Sequence, residues 1–389
     1  MSDSLNQFVA GRLTVLEKSD RRRSLATVTR EPAARIATAE NELVSFACND
    51  YLGLSRHPEV VAASMEATLR YGSGSGSARL ISGNHPEYAT LESRLAAFKS
   101  CEDAIVFGSG YLANLGIVSG LMGKRDLILL DELSHSCLLS GAQLAGSRTL
   151  VFRHNDVAHC KELLEAHRSR YRHVLIVTEG VFSMDGDRAP LAQLAQVSSM
   201  HDAWLLCDDA HGLGVIGDGR GSVAAAGGNI DVPLQMGTLS KALGGYGGFV
   251  CASAQVCDYL RNRARTFVYS TGLPPGVVAA ATKALQIIEG DRELVRLPLA
   301  HARAFTKALS LPEAQSAIVP VQIGDSAAAL QAAAELASRG FFVPAIRPPT
   351  VPQGTARLRF AFSAAQTAED VNAVSEAVDA LGLTSRHAS

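Results

Sequence analysis

Short, continuously apolar runs alternate with longer stretches of helical periodicity over most of the chain before residue 280. Runs such as 174–177 (Val-Leu-Ile-Val) have no polar position on either face, which is typical of strands buried on both sides in a parallel sheet. A helical stretch at 190–201 lies between two such runs and predicts a βαβ unit. The pattern therefore predicts an α/β fold with a mostly parallel central sheet covered by helices. Strands are predicted at 104–107, 127–130, 149–152, 173–178, 203–207, 234–236 and 248–252.

The pattern changes near residue 280, where a long helix at 276–290 leads into a mixture of shorter helices and strands. At 389 residues the chain exceeds the roughly 250–300 residues at which a single core stops growing, so more than one domain is expected. Three segments are predicted: 1–48 with an N-terminal helix and a short strand, 49–280 as a large domain, and 281–389 as a smaller C-terminal α+β domain. The helices and strands expected at the two ends are a helix at 4–24, a strand at 43–47, strands at 317–322, 341–345 and 356–361, and helices at 327–339 and 368–381.

Composition narrows the class of protein. The formal net charge is −2, so no overall field attracts nucleic acid or an anionic membrane. The seven cysteines are scattered without a Cys-x-x-Cys pair, which argues against a disulfide framework and a zinc site and for a reducing compartment. No apolar run reaches the roughly 18 residues of a membrane span, and the N-terminus lacks the pattern of a signal peptide. A cytoplasmic location without nucleic-acid or membrane partners is expected.

Polar residues follow two neighbouring strands of the predicted sheet. Glu179 and Ser183 come after the strand at 173–178, and Asp208 and His211 come after the strand at 203–207. Ligands of open α/β sheets bind beyond the carboxyl ends of the strands. The placement therefore predicts a site at this edge of the sheet.

Lys241 and Asp208 together indicate the chemistry of that site. Lys241 follows Thr238 in a segment rich in small residues, 33 residues after Asp208. A pyridoxal phosphate enzyme needs a lysine that forms a Schiff base with the cofactor aldehyde, and a carboxylate that keeps a proton on the pyridine nitrogen. Taken singly, the lysine could lie on a flexible surface loop and the aspartate could cap a turn. The two motifs in this order favour a cofactor-dependent enzyme.

Three further motifs allow more than one interpretation. The segment 108–114 follows a strand and opens a helix, so its backbone N–H groups suit a phosphate, but Ser/Gly turns of this kind are common. His135 could stack on a planar ring or cap a loop. Arg347, in a stiff proline-rich segment, could clamp a carboxylate or form a structural salt bridge. The basic run 21–23 is equally typical of a solvated surface.

With these motifs assembled, the sequence resembles the α-oxoamine synthases nearly end to end. These are pyridoxal phosphate transferases of fold type I, the fold of aspartate aminotransferase. The resemblance rests on residues 48–54 (Cys-Asn-Asp-Tyr-Leu-Gly-Leu), 133–136 (Leu-Ser-His-Ser), 178–187 (Thr-Glu-Gly-Val-Phe-Ser-Met-Asp-Gly-Asp), 208–212 (Asp-Asp-Ala-His-Gly) and 238–241 (Thr-Leu-Ser-Lys).

The resemblance implies pyridoxal 5'-phosphate as the cofactor and gives individual residues roles toward it. Lys241, His135 and Asp208 would be catalytic, as the Schiff-base lysine, the residue stacked on the ring and the partner of the pyridine nitrogen. The remaining cofactor contacts would be His211 and Ser183 at the phenolic oxygen, and the amides of Gly110 and Tyr111 with the Thr238 hydroxyl at the phosphate. Substrate contacts would be Arg21, Asn49, His135, Arg347 and Thr350.

The segment 346–359 points to one branch of the family, which condenses L-alanine with a pimeloyl thioester of coenzyme A or acyl carrier protein in biotin biosynthesis. Sister enzymes that use glycine and a shorter acyl-CoA keep the same catalytic residues and remain the alternative. Transamination or lyase chemistry is less favoured by this segment. The Gly/Ser run 72–77 matches a loop that reaches the neighbouring subunit's site, so a homodimer with shared active sites is implied.

Overall fold

The computed structural model of the protein describes residues 3–18, 22, 25, 27–38, 41–227 and 229–383. The strands are β1 (Thr29–Arg30), β2 (Arg35–Ala37), β3 (Glu42–Ser45), β4 (Asp103–Phe107), β5 (Leu127–Asp131), β6 (Arg148–Phe152), β7 (Val174–Glu179), β8 (Trp204–Asp208), β9 (Leu234–Thr238), β10 (Gly248–Ala252), β11 (Ile318–Gly324), β12 (Phe341–Phe342), β13 (Ala345–Ile346) and β14 (Ala356–Ala361). The helices are α1 (Asp3–Lys18), α2 (Pro58–Tyr71), α3 (Glu87–Lys99), α4 (Gly110–Leu121), α5 (Ser136–Ala145), α6 (Val157–His167), α7 (Leu191–Met200), α8 (Ser222–Ala225), α9 (Ala254–Arg263), α10 (Arg265–Val268), α11 (Pro275–Gly290), α12 (Arg292–Ala308), α13 (Ser326–Ser338) and α14 (Ala368–Ala380).

The central sheet has the strand order β4-β10-β9-β8-β7-β5-β6. Strand β10 is antiparallel to both of its neighbours, and the other strands run in one direction. The connection from β9 to β10 spans only 239–247, which is too short for the crossover of roughly ten or more residues that a parallel pair needs. The mostly parallel sheet and the strands predicted from apolar runs are confirmed, as is the βαβ unit β7–α7–β8.

Both faces of this sheet are buried. The side chains of β5, β7 and β9 are buried throughout, and apolar residues of the surrounding helices pack on each side. In the strand register Glu179 lies opposite Asp208, and Asp208 lies opposite Met236, two residues before Thr238. The carboxyl ends of β7, β8 and β9 therefore meet at one edge.

The C-terminal part forms a second layered unit. Strands β11, β14 and β13 make an antiparallel sheet that α12, α13 and α14 help to cover, and α11 packs in the core of the larger unit. Helices α11, α13 and α14 and strand β14 confirm the elements predicted there. The strand predicted at 341–345 is instead divided into β12 and β13, because Pro344 between them has no N–H to donate to a ladder.

The N-terminal strands join this second unit. Strand β3 pairs in parallel with β12, and Phe46 packs against Phe360 and Phe362 at ring-centroid distances of 6.2 and 5.6 Å. The helix predicted at 4–24 is described as α1 over Asp3–Lys18, and Arg22 lies outside it. The division of the chain at residues 48 and 280 stays a prediction. No helix in the described ranges combines the length and the apolar character that a membrane crossing needs.

Candidate active site

Lys241 is the first member of a polar chain that runs through the buried His211 to the buried Tyr51. Its Nζ is 2.8 Å from His211 Nε2, and His211 Nδ1 is 2.6 Å from the Tyr51 hydroxyl. Burial lowers the pKa of Lys241, although the charges of Asp208 and Glu179 act in the opposite direction. Burial, helped by the nearby Lys241 charge, holds the pKa of His211 well below its usual value. The amine is therefore more available as a nucleophile and base than a surface lysine, which supports the prediction made from the sequence.

The turn that presents Lys241 requires a glycine. Gly244 N–H donates to the Lys241 carbonyl at 2.8 Å, and Gly244 adopts a left-handed conformation with φ 66°. A Cβ at Gly244 would lie 2.2 Å from the backbone nitrogen of Ser55. Any larger residue would push the turn away from the segment that follows Tyr51.

Asp208 is buried and hydrogen-bonded to neutral donors. Its Oδ2 accepts from Asn114 Nδ2 at 2.6 Å and its Oδ1 accepts from the Ala210 N–H at 3.0 Å. Among the described residues, no lysine, arginine or histidine forms a salt bridge with Asp208. A buried carboxylate that lacks a cation is costly, and a protonated pyridine nitrogen is the kind of partner that offsets this cost.

The neighbouring Asp209 has its cation within the protein. Lys99 Nζ donates to Asp209 Oδ2 at 2.9 Å and to the Arg220 carbonyl at 2.6 Å. The N–H of Ser222 donates to the same carboxylate, and its hydroxyl donates to Oδ1 at 2.5 Å. The two adjacent aspartates are thus distinguished by their surroundings, and only Asp208 is left to bind a cationic group.

His135 and Glu179 connect two strand ends. His135 follows β5 and caps α5, because its Nδ1 accepts from the Cys137 N–H at 3.3 Å. Its own N–H donates to Glu179 Oε1 at 2.5 Å. Burial, reinforced by the Asp208 charge, raises the pKa of Glu179 to about 8, and burial lowers the pKa of His135. The capping interpretation of His135 is confirmed, and ring stacking on a cofactor stays a prediction.

The N-terminus of α4 suits a phosphate group. Ser109 caps the helix by accepting from the Leu112 N–H at 3.1 Å, and no acceptor in the described ranges binds the N–H groups of Gly110 and Tyr111. A Cβ at Gly110 would lie 3.4 Å from Thr238 Oγ1, so the Thr238 hydroxyl is beside this helix end. Backbone donors and a hydroxyl at a helix N-terminus form a favourable anion site. The Tyr111 side chain itself is exposed.

Arg359 was given no role from the sequence, yet it joins several predicted site residues. Its Nε donates to the Ser183 carbonyl at 2.6 Å, and both terminal nitrogens lie 3.3 Å from Asn49 Oδ1. It is 5% exposed, and no carboxylate in the described part of the chain forms a salt bridge with it. The sequence did contain an indication of this role, because arginines at 357 and 359 interrupt the otherwise apolar strand β14. Tyr51 and Asn114 are two further site residues that sequence reasoning missed.

Two of the remaining predicted substrate residues, Arg347 and Thr350, lie in one turn. Thr350 N–H donates to the Arg347 carbonyl at 3.1 Å in the turn after β13, where Arg347 is half-buried and Thr350 is exposed. Their contacts with substrate stay predictions. Arg21 lies outside the described residues.

Comparisons with known proteins identify the family. The profile of the family described as Aminotransferase class I and II matches residues 41–378. An 8-amino-7-oxononanoate synthase from Methylocella silvestris is 62% identical over 336 residues, which cover 86% of this chain and 96% of that protein. The chain belongs to the 8-amino-7-oxononanoate synthases of the class I and II aminotransferase family. A second member, from Methylobacterium nodulans, is 54% identical over 98% of both chains.

Solved structures agree with this assignment. A serine palmitoyltransferase from S. paucimobilis, bound to pyridoxal phosphate and myriocin, superposes with a TM-score of 0.90 at 30% identity, covering 98% of this chain and all of that one. An 8-amino-7-oxononanoate synthase from Francisella tularensis superposes with a TM-score of 0.73 at 27% identity, covering 88% and 97%. The predicted fold type and the resemblance to the α-oxoamine synthases are confirmed, and the synthase is a pyridoxal phosphate enzyme.

The described residues fit this cofactor. The unpaired donors at the start of α4 suit its phosphate, the buried Asp208 suits its pyridine nitrogen, and the partly buried amine of Lys241 suits its aldehyde. These three features lie at or just after the carboxyl ends of β4, β8 and β9, although 131 residues separate Gly110 from Lys241. Within the described ranges, no group of three or more His, Cys, Asp or Glu side chains is placed to hold a metal ion.

We expect Lys99→Met to destabilise the synthase by about 3–5 kcal/mol, because Asp209 would remain buried without its cation. The measurement is the midpoint of urea unfolding. Lys161→Met is the matched control, since Lys161 forms an exposed pair with Glu165 at 3.6 Å that contributes only about 0.3–0.5 kcal/mol. Equal shifts in the two variants would show that the buried pair contributes no more than a surface pair.

Proposed function

We propose that the synthase condenses L-alanine with a pimeloyl thioester to give 8-amino-7-oxononanoate, carbon dioxide and the free thiol carrier, as a step of biotin biosynthesis. The name shared by its relatives over nearly their whole length supports this reaction. One structural observation supports it independently. Arg359 is a buried guanidinium without a carboxylate partner among the described residues, and it is close enough to Lys241 for its charge to lower the pKa of that amine. Such a group suits the carboxylate of an amino acid substrate.

The bond changes of the reaction balance without an oxidant. The α C–H bond of L-alanine breaks, and a C–C bond forms to the acyl carbonyl as the C–S bond to the carrier breaks. The carboxylate then leaves as carbon dioxide, and a proton returns to the α-carbon. Pyridoxal phosphate supplies the electron sink that makes the α-carbon acidic.

The residues of the chain divide these tasks. Lys241 would hold the cofactor covalently, and its Nζ would then remove and return the α-proton; its lowered pKa favours the neutral amine that this proton transfer needs. Asp208 would keep the proton on the pyridine nitrogen. His135 would pack on the ring, and His211 and Ser183 would hydrogen-bond its phenolic oxygen. Arg359 and Asn49 hold the carboxylate, which fixes the α-proton in reach of Lys241.

The acyl donor contacts a different part of the site. Arg21 and Thr350 are proposed to contact the acyl substrate or the product, and the thioester carrier is coenzyme A or acyl carrier protein. Arg347 is proposed to lie near the amino acid carboxylate, as the family resemblance implies. A cytoplasmic location is proposed because the described cysteines are all free thiols and the substrates of the reaction are intracellular thioesters.

We also propose a homodimer with shared active sites. Exposed apolar residues cluster on α2 and on the π-helical turn Arg79–Gly83, on either side of the Gly/Ser run 72–77. Several large apolar residues exposed on segments close in the sequence are typical of an interaction site. The Gly/Ser run 72–77 is hydrogen-bonded to the segment before α11, since the Ser77 carbonyl accepts from the Gly272 N–H at 2.9 Å. The apolar residues are Met65, Leu69, Leu80 and Ile81.

The proposed reaction predicts release of free thiol from pimeloyl-CoA only when L-alanine is present. The measurement uses purified, cofactor-loaded synthase and a thiol reagent, with glycine in place of L-alanine and acetyl-CoA in place of pimeloyl-CoA as comparisons. Release that requires glycine and the short acyl donor would instead assign the chain to a sister α-oxoamine synthase. Keto acid formed without any acyl donor would indicate transamination.

Replacing Lys241 by alanine is expected to abolish covalent cofactor binding and to lower turnover by about 10²–10⁴-fold, the range for loss of a positioned acid–base group. Borohydride reduction followed by mass spectrometry should add the cofactor mass to the Lys241 peptide of the unaltered synthase and to no peptide of the variant. Lys283→Ala, at a partly exposed lysine, is the control. Labelling of another lysine in the unaltered protein would overturn the assignment.

Arg359→Lys is expected to raise the KM for L-alanine by about 10–100-fold, because each lost hydrogen bond to a charged group costs about 1.5–3 kcal/mol. A lysine ammonium cannot reproduce the two-nitrogen contact that the guanidinium makes. Steady-state kinetics at saturating pimeloyl-CoA check this, with Arg303→Lys, an exposed arginine paired with Glu313, as the control. An unchanged KM would remove Arg359 from the carboxylate site.

A further inference from the structure

His154 forms an ion-pair bridge outside the residues assigned to the reaction. Its Nδ1 lies 2.9 Å from Asp131 Oδ1 and its Nε2 lies 2.7 Å from Asp187 Oδ2. The ring packs edge-on against Phe182, with centroids 4.4 Å apart and an interplanar angle of 89°. Both ring nitrogens can donate only when the imidazole is protonated, so this arrangement fits an imidazolium held between two carboxylates.

Asp131 connects this bridge to the loop that carries His135. Asp131 is the last residue of β5, and its Oδ1 also accepts from the Leu133 N–H at 3.0 Å. Its carbonyl accepts from the Ser134 N–H at 3.1 Å. The next residue is His135. The carboxylate that binds His154 therefore also shapes the turn that leads directly into His135.

Asp187 connects the bridge to the loop that carries Ser183. Phe182 N–H donates to the Asp187 carbonyl at 3.0 Å, which closes the loop 182–187 on itself. Ser183 lies inside this loop, where its carbonyl accepts from Arg359. The far side of the loop is held by the Ser316 hydroxyl, which donates to the Gly186 carbonyl at 2.7 Å. His154 holds the other side of the loop together with Asn155, whose Nδ2 donates to Asp187 Oδ2 at 2.7 Å and whose backbone N–H donates to Asp131 Oδ2 at 2.9 Å.

We propose that His154 is a positioning residue that bridges the 131–135 and 182–187 loops and so sets the spacing between His135 and Ser183 at the cofactor. The two loops also meet at Glu179, which accepts from the His135 N–H at 2.5 Å and from the Ser183 N–H. The inference rests on the proposed cofactor roles of His135 and Ser183, and it is independent of which acyl donor the synthase uses.

The charge of His154 is favoured at neutral pH. Burial acts against it, but the hydrogen bonds and charges of Asp131 and Asp187 prevail and raise the pKa of His154 to about 10. Two other charged groups are near: Glu132 accepts from the His154 backbone N–H at 2.9 Å, and Arg153 is paired with Asp156. Because the folded pKa lies above the unfolded value of about 6.5, the stability that the bridge contributes is fully present below about pH 6.5 and is lost as the pH rises through about 10.

The test is the dissociation constant for pyridoxal phosphate, measured by titrating the cofactor-free protein at 25 °C and following absorbance and circular dichroism of the bound cofactor. His154→Gln should raise this constant about tenfold at pH 7.5, equivalent to about 1.4 kcal/mol, and alter the dichroism of the bound cofactor. The ratio of variant to unaltered constants should fall toward one as the pH approaches 10. Asp187→Asn, which keeps the loop residue nearly isosteric, should give a similar increase, and the double variant should be no worse than either single one.

Arg168→Gln is the matched control, because Arg168 also joins two turns through a carboxylate, at 2.6 Å from Asp202, and its side chain is 23% exposed against 21% for His154. It should leave the cofactor constant unchanged. A purely structural role would lower the unfolding temperature of both His154 and Asp187 variants without changing that constant, and this result would overturn the proposal. Ser183→Ala distinguishes failure of the assumed cofactor contact from failure of the His154 proposal. An unchanged dissociation constant for pyridoxal phosphate in Ser183→Ala would refute the cofactor role of Ser183. A raised constant in Ser183→Ala, with unchanged constants in the His154 and Asp187 variants, would refute only the positioning role of His154.

Discussion

Burial of the central sheet on both faces is the constraint on which the rest of the structure depends. Charged side chains cannot be placed within β5, β7 or β9, so they collect where the strands end. The strand register sets Glu179 directly opposite Asp208. Ionising two neighbouring carboxyl groups in a buried site costs free energy, because their negative charges repel each other. Burial, together with the Asp208 charge, raises the pKa of Glu179 to about 8. Glu179 accepts the backbone hydrogen bonds of His135 and Ser183 that hold the adjoining loops.

The same burial separates groups that stabilise the fold from groups left for ligands. Asp209 is neutralised by Lys99 and hydrogen-bonded by Ser222. Asp208 and Arg359, equally buried, have no ion-pair partner of opposite charge among the described residues. Folded proteins rarely tolerate such groups unless a cofactor or a substrate completes them. The two incomplete charges, one negative and one positive, match the pyridinium and the carboxylate that the proposed reaction brings to the site.

The site also depends on contact between the two layered units. Arg359 extends from β14 of the C-terminal unit to Asn49 and to the loop that carries Ser183, and Arg357 pairs with Asp185 in the same loop. Gly186 also lies close to the C-terminal unit: with φ 72°, a Cβ there would lie 2.1 Å from the Ile318 carbonyl oxygen. Motion between the units would therefore move Arg359 relative to Lys241, which belongs to the larger unit.

The sequence by itself determined the strands of the central sheet, the lysine and the first aspartate of the site, because apolar periodicity and strand-end placement are local properties that neighbouring residues decide. It also carried the family assignment, since the motifs around Asp208 and Lys241 are contiguous. The tertiary structure alone decided which aspartate of the 208–209 pair is neutralised, that Asn114 rather than a cation binds Asp208, and that Arg359 reaches Asn49. These contacts join residues 94 to 310 positions apart. Partners at such distances depend on how whole layers pack, and no local pattern in the chain encodes that packing.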